Sequence, residues 1–292
     1  MATLLVFVDG IGLGTAGPHN PFDAVARDVL LPLAGRGDTP AAGWTLAPLD
    51  ATLGVAGVPQ SATGTASILT GMNVAAMVGS HQWAFPGPRV RAIIEEHSIL
   101  RRAREAGRRV AYLNAFPVER ARPDADVRRG ACTCAALAGG GPLRTLDDLE
   151  AGRAALFDLT HELAIGHGIP VRPSTIEESA RRIAFACGEL DLALFELFLT
   201  DHAGHQSDGH WARREVVRTE SFLRAMTREL DPGCDTIVVT SDHGNLEDLS
   251  TRGHTTNAVP ALAWGRASAA LVREMRDVSD VGRRVLEHVL AE

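Results

Sequence analysis

Three aspartates and three histidines in this chain stand beside apolar runs: Asp9, Asp201 and Asp242, with His205, His243 and His254. Carboxylates gathered at one place repel one another, so such a group requires a positive partner between its members. Mixed carboxylate and imidazole donors suit Zn²⁺ or Mn²⁺; Mg²⁺ and Ca²⁺ favour shells made of oxygen, so Mg²⁺ is the weaker candidate. Six such ligands and one hydroxyl are enough for two divalent ions. The hydroxyl comes from residues 58–71, a segment of small residues rich in serine and threonine. Ser61 there has two readings. It is a nucleophile at a helix N-terminus, where free N–H groups and the helix dipole stabilise an anion, or it is a plain serine N-cap.

Bringing these side chains together takes parallel strands that end at one edge. Residues 3–8 are a continuous apolar run that ends on Asp9-Gly10, the pattern of a central parallel strand delivering a carboxylate to the carboxyl edge of a sheet. Residues 236–240 repeat the pattern before Asp242-His243, and residues 190–200 repeat it before Asp201, with His205 in the loop beyond. Further strands are expected at 44–53, 109–114 and 259–264. Helices are expected at 21–33, 98–106, 176–188, 211–230 and 278–290. The alternation breaks over 117–175, where glycines 139–141, Cys132-x-Cys134 and a helix at 145–165 suggest a small inserted cap. That leaves 1–116 and 176–292 as the core. The G-x-G-x-G at 10–14 has its third glycine misplaced for a dinucleotide site and runs on into a loop.

Composition removes other classes. A net charge of -7 gives no cause to expect a nucleic-acid partner. Asp9 interrupts the first apolar run, so neither a signal peptide nor a membrane span is expected. Cys132, Cys134, Cys187 and Cys234 have no finger-like spacing to histidine and read as thiols of a reducing cytoplasm. The chain has no lysine, so arginine is its only fixed cation for anions.

Five motifs in this order resemble the alkaline phosphatase superfamily, and within it the branch of cofactor-independent phosphoglycerate mutase and phosphopentomutase. They are Val8-Asp9-Gly10, Ser61-x-x-Gly64 running to Ile68 and Gly71, Asp201-x-x-Gly204-His205, Ser241-Asp242-His243-Gly244-Asn245, and Gly253-His254-Thr255-Thr256 with Pro260. The resemblance implies a three-layer α/β/α sandwich with a mostly parallel central sheet. It also implies one ion held by Asp201, His205 and His254, a second held by Asp9, Asp242 and His243, and Ser61 bridging them as nucleophile. A phosphoseryl intermediate would then pass its phosphoryl group to water or to a substrate hydroxyl.

The chain departs from that branch at two points. Thr65 stands where the mutases carry a histidine, and Thr63 is a second hydroxyl near Ser61. The stretch between Gly71 and Asp201 is also too short for the large phosphotransferase domain of the phosphoglycerate mutase, and without such a lid a phosphorylated intermediate is harder to keep from water. Hydrolysis of a small phosphorylated metabolite is therefore the favoured expectation. Phosphomutase chemistry and a non-catalytic metal-stabilised binding protein are the alternatives. No C-x-P-x-R or S-x-P-x-R pattern of a sulfatase occurs at the nucleophile. His81, Arg89, Arg91 and Asn114 lie in segments that could face the ions and are the candidate substrate contacts.

Overall fold

A computed structural model describes residues 1–37, 40–122 and 127–292. Its main sheet has six strands: β1 (Thr3–Val8), β2 (Trp44–Leu49), β3 (Val110–Tyr112), β6 (Leu192–Leu197), β7 (Thr236–Thr240) and β8 (Val259–Gly265). Two short strands, β4 (Ala115–Phe116) and β5 (Arg144–Thr145), pair separately. The order across the main sheet is β2-β8-β7-β1-β6-β3. β1 pairs in parallel with both β6 and β7, and β6 with β3, whereas β8 is antiparallel to both of its neighbours. Because Thr3 registers with Leu192 on one side and Thr236 on the other, these three strands end level. Asp9, the turn after Leu197 and Ser241-Asp242 consequently emerge at one edge.

The apolar run of β1 is buried throughout because helices cover both faces of the sheet. Its side chains alternate: Leu5 and Phe7 enter one hydrophobic cluster, and Leu4, Val6 and Val8 the other. Helices Ser61–Thr70, Pro88–His97, Ile99–Glu105 and Val278–Ala291 cover the first face. Helices Ile176–Cys187 and Gly209–Glu229 cover the second. Among the described residues no helix is long and apolar enough to cross a membrane.

Several expected elements take a different form. The helix expected at 21–33 is two pieces, Pro21–Val25 and a 3₁₀ turn at Leu31–Ala34. The helix expected at 145–165 is also two pieces, Leu146–Glu150 and Glu162–Gly166. Between them Gly152 takes a positive φ and Asp158 turns back to accept from the N–H groups of Leu163 and Ala164. Within the expected cap of 117–175, helix Ala131–Ala138 is continuous with the body, since Ala131, Cys132 and Ala135 enter the same cluster as Ile68 and Leu69. A small separate core of Leu149, Ala154, Leu156 and Ala164 lies beyond it, and residues 123–126 are outside the described residues.

One crossing fixes the helix that carries Ser61. Gly282 lies against the Ile68 carbonyl and the Gly71 N–H, so closely that a Cβ at 282 would overlap the carbonyl oxygen. Gly282→Ala is therefore expected to cost about 2 kcal/mol, as overpacking between rigid backbones does. Urea denaturation would read this as a lower midpoint at an unchanged slope.

Candidate metal centre

Asp201 and His205 do not sit in a loop at the end of a strand, as their sequence suggested. β6 stops at Leu197 and helix Leu199–Gln206 begins at once, so the two residues stand one turn apart on one helical face. Asp201 Oδ2 is 3.2 Å from His205 Nε2. Gly10, at a φ of +69°, lies where a Cβ would press on the Asp201 carboxylate, and this close approach brings the first loop onto the helix. Thr200 adds a hydroxyl bond to the Asp9 carbonyl.

The first ligand group is Asp201, His205 and His254, whose ligand atoms all lie within 4.8 Å of one another. His205 Nδ1 is 2.7 Å from the Arg252 carbonyl and His254 Nδ1 is 2.9 Å from the Pro59 carbonyl. A carbonyl only accepts, so each Nδ1 carries hydrogen and each Nε2 turns inward. The two Nε2 atoms face each other at 3.1 Å, with Asp201 Oδ1 3.6 Å from that of His254. With both rings neutral, lone pairs meet lone pairs and a carboxylate, so a proton or a cation must occupy the centre. The hydrogen bond that His205 donates to the Asp201 carboxylate raises His205 to about 9, so at neutral pH the metal-free protein keeps a proton there. Loading with Zn²⁺ or Mn²⁺ near pH 7.5 is expected to expel about one proton from this group. Calorimetry in buffers of different ionisation enthalpy would show it; a binding enthalpy indifferent to buffer would mean that His205 is already neutral.

The second group is Asp9, Asp201 and His243, again within 4.8 Å. His243 Nε2 lies 3.4 Å from Asp9 Oδ1, 3.6 Å from Asp242 Oδ2 and 2.9 Å from Ser61 Oγ. Asp201 is thus common to both groups, and Asp242 stands beside the second: its Oδ2 accepts from the Thr65 hydroxyl at 2.7 Å, while its Oδ1 is buried without a partner. Asp9 Oδ1 is orphaned in the same way. Burial, then the carboxylates of Asp242, Asp201 and Glu196, push Asp9 well up, and burial takes Asp242 to about 7. Burial acts upward on Asp201 as well, but hydrogen bonds from His205 and Asn245 and the nearby His243 outweigh it and hold the carboxyl down. Burial lowers His243 to about 4 and also lowers His254, so these rings offer free lone pairs at neutral pH. Among the described residues no arginine pairs with Asp9, Asp201 or Asp242. Buried carboxylates, orphaned acceptors and inward lone pairs without a fixed cation fit one or two divalent ions.

Ser61 is the first residue of its helix, and the N-cap is Gln60, which makes no side-chain capping bond. The N-cap reading of Ser61 therefore falls. Its hydroxyl points at His243, whereas Thr63 is buried, donates to the Gln60 carbonyl at 3.3 Å and accepts from Gln82 N–H at 3.1 Å. That separates the two candidate nucleophiles.

Three of the four candidate substrate contacts have protein partners of their own and the fourth, Arg91, is exposed. Asn114 donates to the Glu196 carbonyl and accepts from its N–H, both at 2.8 Å, so its amide extends the sheet and is corrected from a ligand contact to a strand splice. Arg89 holds the Met77 carbonyl at 2.6 Å, Arg91 is exposed on helix Pro88–His97, and His81 lies 3.2 Å from the Val55 carbonyl. Asn245 belongs to the Ser241–Asn245 motif, but nothing in the sequence assigns it a role; its amide donates to Asp201 Oδ1 at 2.6 Å. Sequence reasoning missed Glu196, whose burial raises its carboxyl and which accepts from Tyr112, since one glutamate within an apolar strand gives no pattern to find.

The profile of the metalloenzyme superfamily matches residues 171–292. The chain is 31% identical over 159 residues to a phosphopentomutase of Methylobacterium radiotolerans, covering 51% of this chain and 39% of that protein. It is 30% identical over 142 residues to a 2,3-bisphosphoglycerate-independent phosphoglycerate mutase of Paracoccus denitrificans, covering 46% and 26%. The chain thus spans well under half the length of either. Its fold is similar to that of an alkaline phosphatase from the Antarctic bacterium TAB5, with a TM-score of 0.53 over 99% of this chain and 98% of that one at 12% identity.

Proposed function

We propose, for a chain that is a metalloenzyme of the alkaline phosphatase superfamily resembling its mutase branch, that it transfers a phosphoryl group from a small phosphorylated metabolite through Ser61, and that water is the acceptor. The observation that carries the reading is the Ser61 hydroxyl, 2.9 Å from His243 Nε2 at the junction of two ligand groups that share Asp201. Asp201, His205 and His254 would hold one divalent ion, and Asp9, His243 and Asp242 a second, Zn²⁺ or Mn²⁺ by donor type. Bound there, the ions would lower the pKa of the serine hydroxyl and offset negative charge on phosphoryl oxygens.

The chain's own residues would do the rest. Ser61, at the start of its helix, presents its oxygen where free backbone N–H groups also favour an anion. Thr65, one turn on, fixes the Asp242 carboxylate through its hydroxyl. The carbonyls of Arg252 and Pro59 keep His205 and His254 in the tautomer that turns Nε2 inward. Four free cysteines suit a reducing cytoplasm.

Incubation of metal-loaded protein with phosphorylated sugars, nucleotides and glycerates tests the reading. Release of inorganic phosphate with about two ions per chain supports it. Positional isomers formed without free phosphate would replace hydrolysis by mutase chemistry. Two ions with no turnover on the panel would favour a binding protein. Chelation is further expected to lower the melting temperature, since an ion bound only by the folded state stabilises it.

A further inference from the structure

We propose that Glu247 is the positioning residue that sets the spacing between the two ligand groups, and hence their affinity for metal; this rests on the two-ion reading above. Glu247 is 2% exposed. Its Oε2 accepts from the Gly12 N–H at 2.9 Å and the Asn245 N–H at 2.8 Å. Its Oε1 accepts from the Thr255 hydroxyl at 2.5 Å and the Asn257 amide at 2.9 Å. Those donors lie in three loops: the one after Asp9, the one after Asp242-His243, and the one that carries His254.

The loop after Asp9 is far in sequence from the other two, which follow closely on each other, and the carboxylate of Glu247, itself in the second of the three, ties them to one point. Asn245 extends the tie, because its side chain donates to Asp201, the carboxylate that both groups share. Backbone is shaped to admit the carboxylate: at Gly12 and at Gly244 a Cβ would collide with it. Glu247 belongs to neither ligand group, so its effect reaches the ions through the loops. Four donors converge on two oxygens, a task that needs a group with acceptors only. The amide of glutamine would turn its own N–H groups towards two of them.

The test uses the full chain stripped with a chelator and titrated with Mn²⁺ or Zn²⁺ by calorimetry, with elemental analysis of the product. Glu247→Gln is expected to weaken ion binding on the order of 10- to 100-fold, as loss of the groups that orient ligands does. Glu247→Asp keeps the charge but draws it back by one methylene, and an intermediate affinity is expected; should Glu247→Gln fail to fold, this variant decides. Val285→Ala empties part of the core on the helix behind the sheet, away from the loops. It is expected to lose thermal stability yet keep wild-type ion affinity. The proposal is overturned if Glu247→Gln binds as wild type does, or if Val285→Ala at a matched melting temperature loses as much affinity. Wild type that binds no ion would overturn the two-ion reading itself, and this inference with it, whereas failure in the variants alone leaves that reading standing.

Discussion

Ser61→Ala is expected to abolish turnover while leaving the metal content unchanged. Among the described residues the hydroxyl's side-chain hydrogen bond is to His243, so its removal subtracts a nucleophile and is expected to leave the ligand groups and the sheet edge as they are. Loss of a covalent nucleophile from a site whose members act together lowers kcat by factors on the order of 10⁴ to 10⁶. The helix has no cap bond from Ser61 to lose, so the melting temperature should stay close to that of wild type. Steady-state phosphate release, elemental analysis and a melting curve on the same preparation check all three. Labelled phosphate trapped on wild type by acid quench, and absent from the variant, would locate the intermediate. Full activity in Ser61→Ala would transfer the role to an activated water, since Thr63 is turned away.

Asp201→Asn is expected to empty both ligand groups. The Asp201 carboxylate supplies an atom to each, so a neutral amide there weakens two sites at once. The loss should exceed the roughly 100-fold that outer-shell changes produce. Asp242→Asn touches only the second group and should reduce occupancy less. The metal-free variant carries a second signature. The Asp201 hydrogen bond is the main cause that raises His205 to about 9, so in Asp201→Asn the imidazole should titrate well below that. Proton NMR of the histidine C–H signals against pH would measure the shift. A His205 that still titrates near 9 would mean that the Arg252 carbonyl, and not Asp201, holds its proton.

The sequence by itself determined the strand ends before Asp9 and Asp242. Apolar runs closing on Asp9 and Asp242 could only be central parallel strands, and residues of that kind at such ends meet at one edge whatever covers the faces. The type of donor was equally legible, because carboxylates and imidazoles keep their chemistry in any context. Helix 176–187 was readable too, since Thr175 and Glu178 form a capping box at its start. Three things were decided only by the tertiary structure. Asp201 and His205 became neighbours on a helix because β6 stops three residues before the expected point. Thr63 differs from Ser61 in its partners because Gln82, from a segment with no sequence link to it, donates to its hydroxyl. Glu247 looked like one acid among many, and its burial comes with one long-range hydrogen bond, to the loop after Asp9, and with irregular contacts inside the 245–257 segment, none of which leaves a period in the chain. Patterns along the chain report what a residue does to its own element; which groups share a proton or an ion depends on elements that meet only after folding.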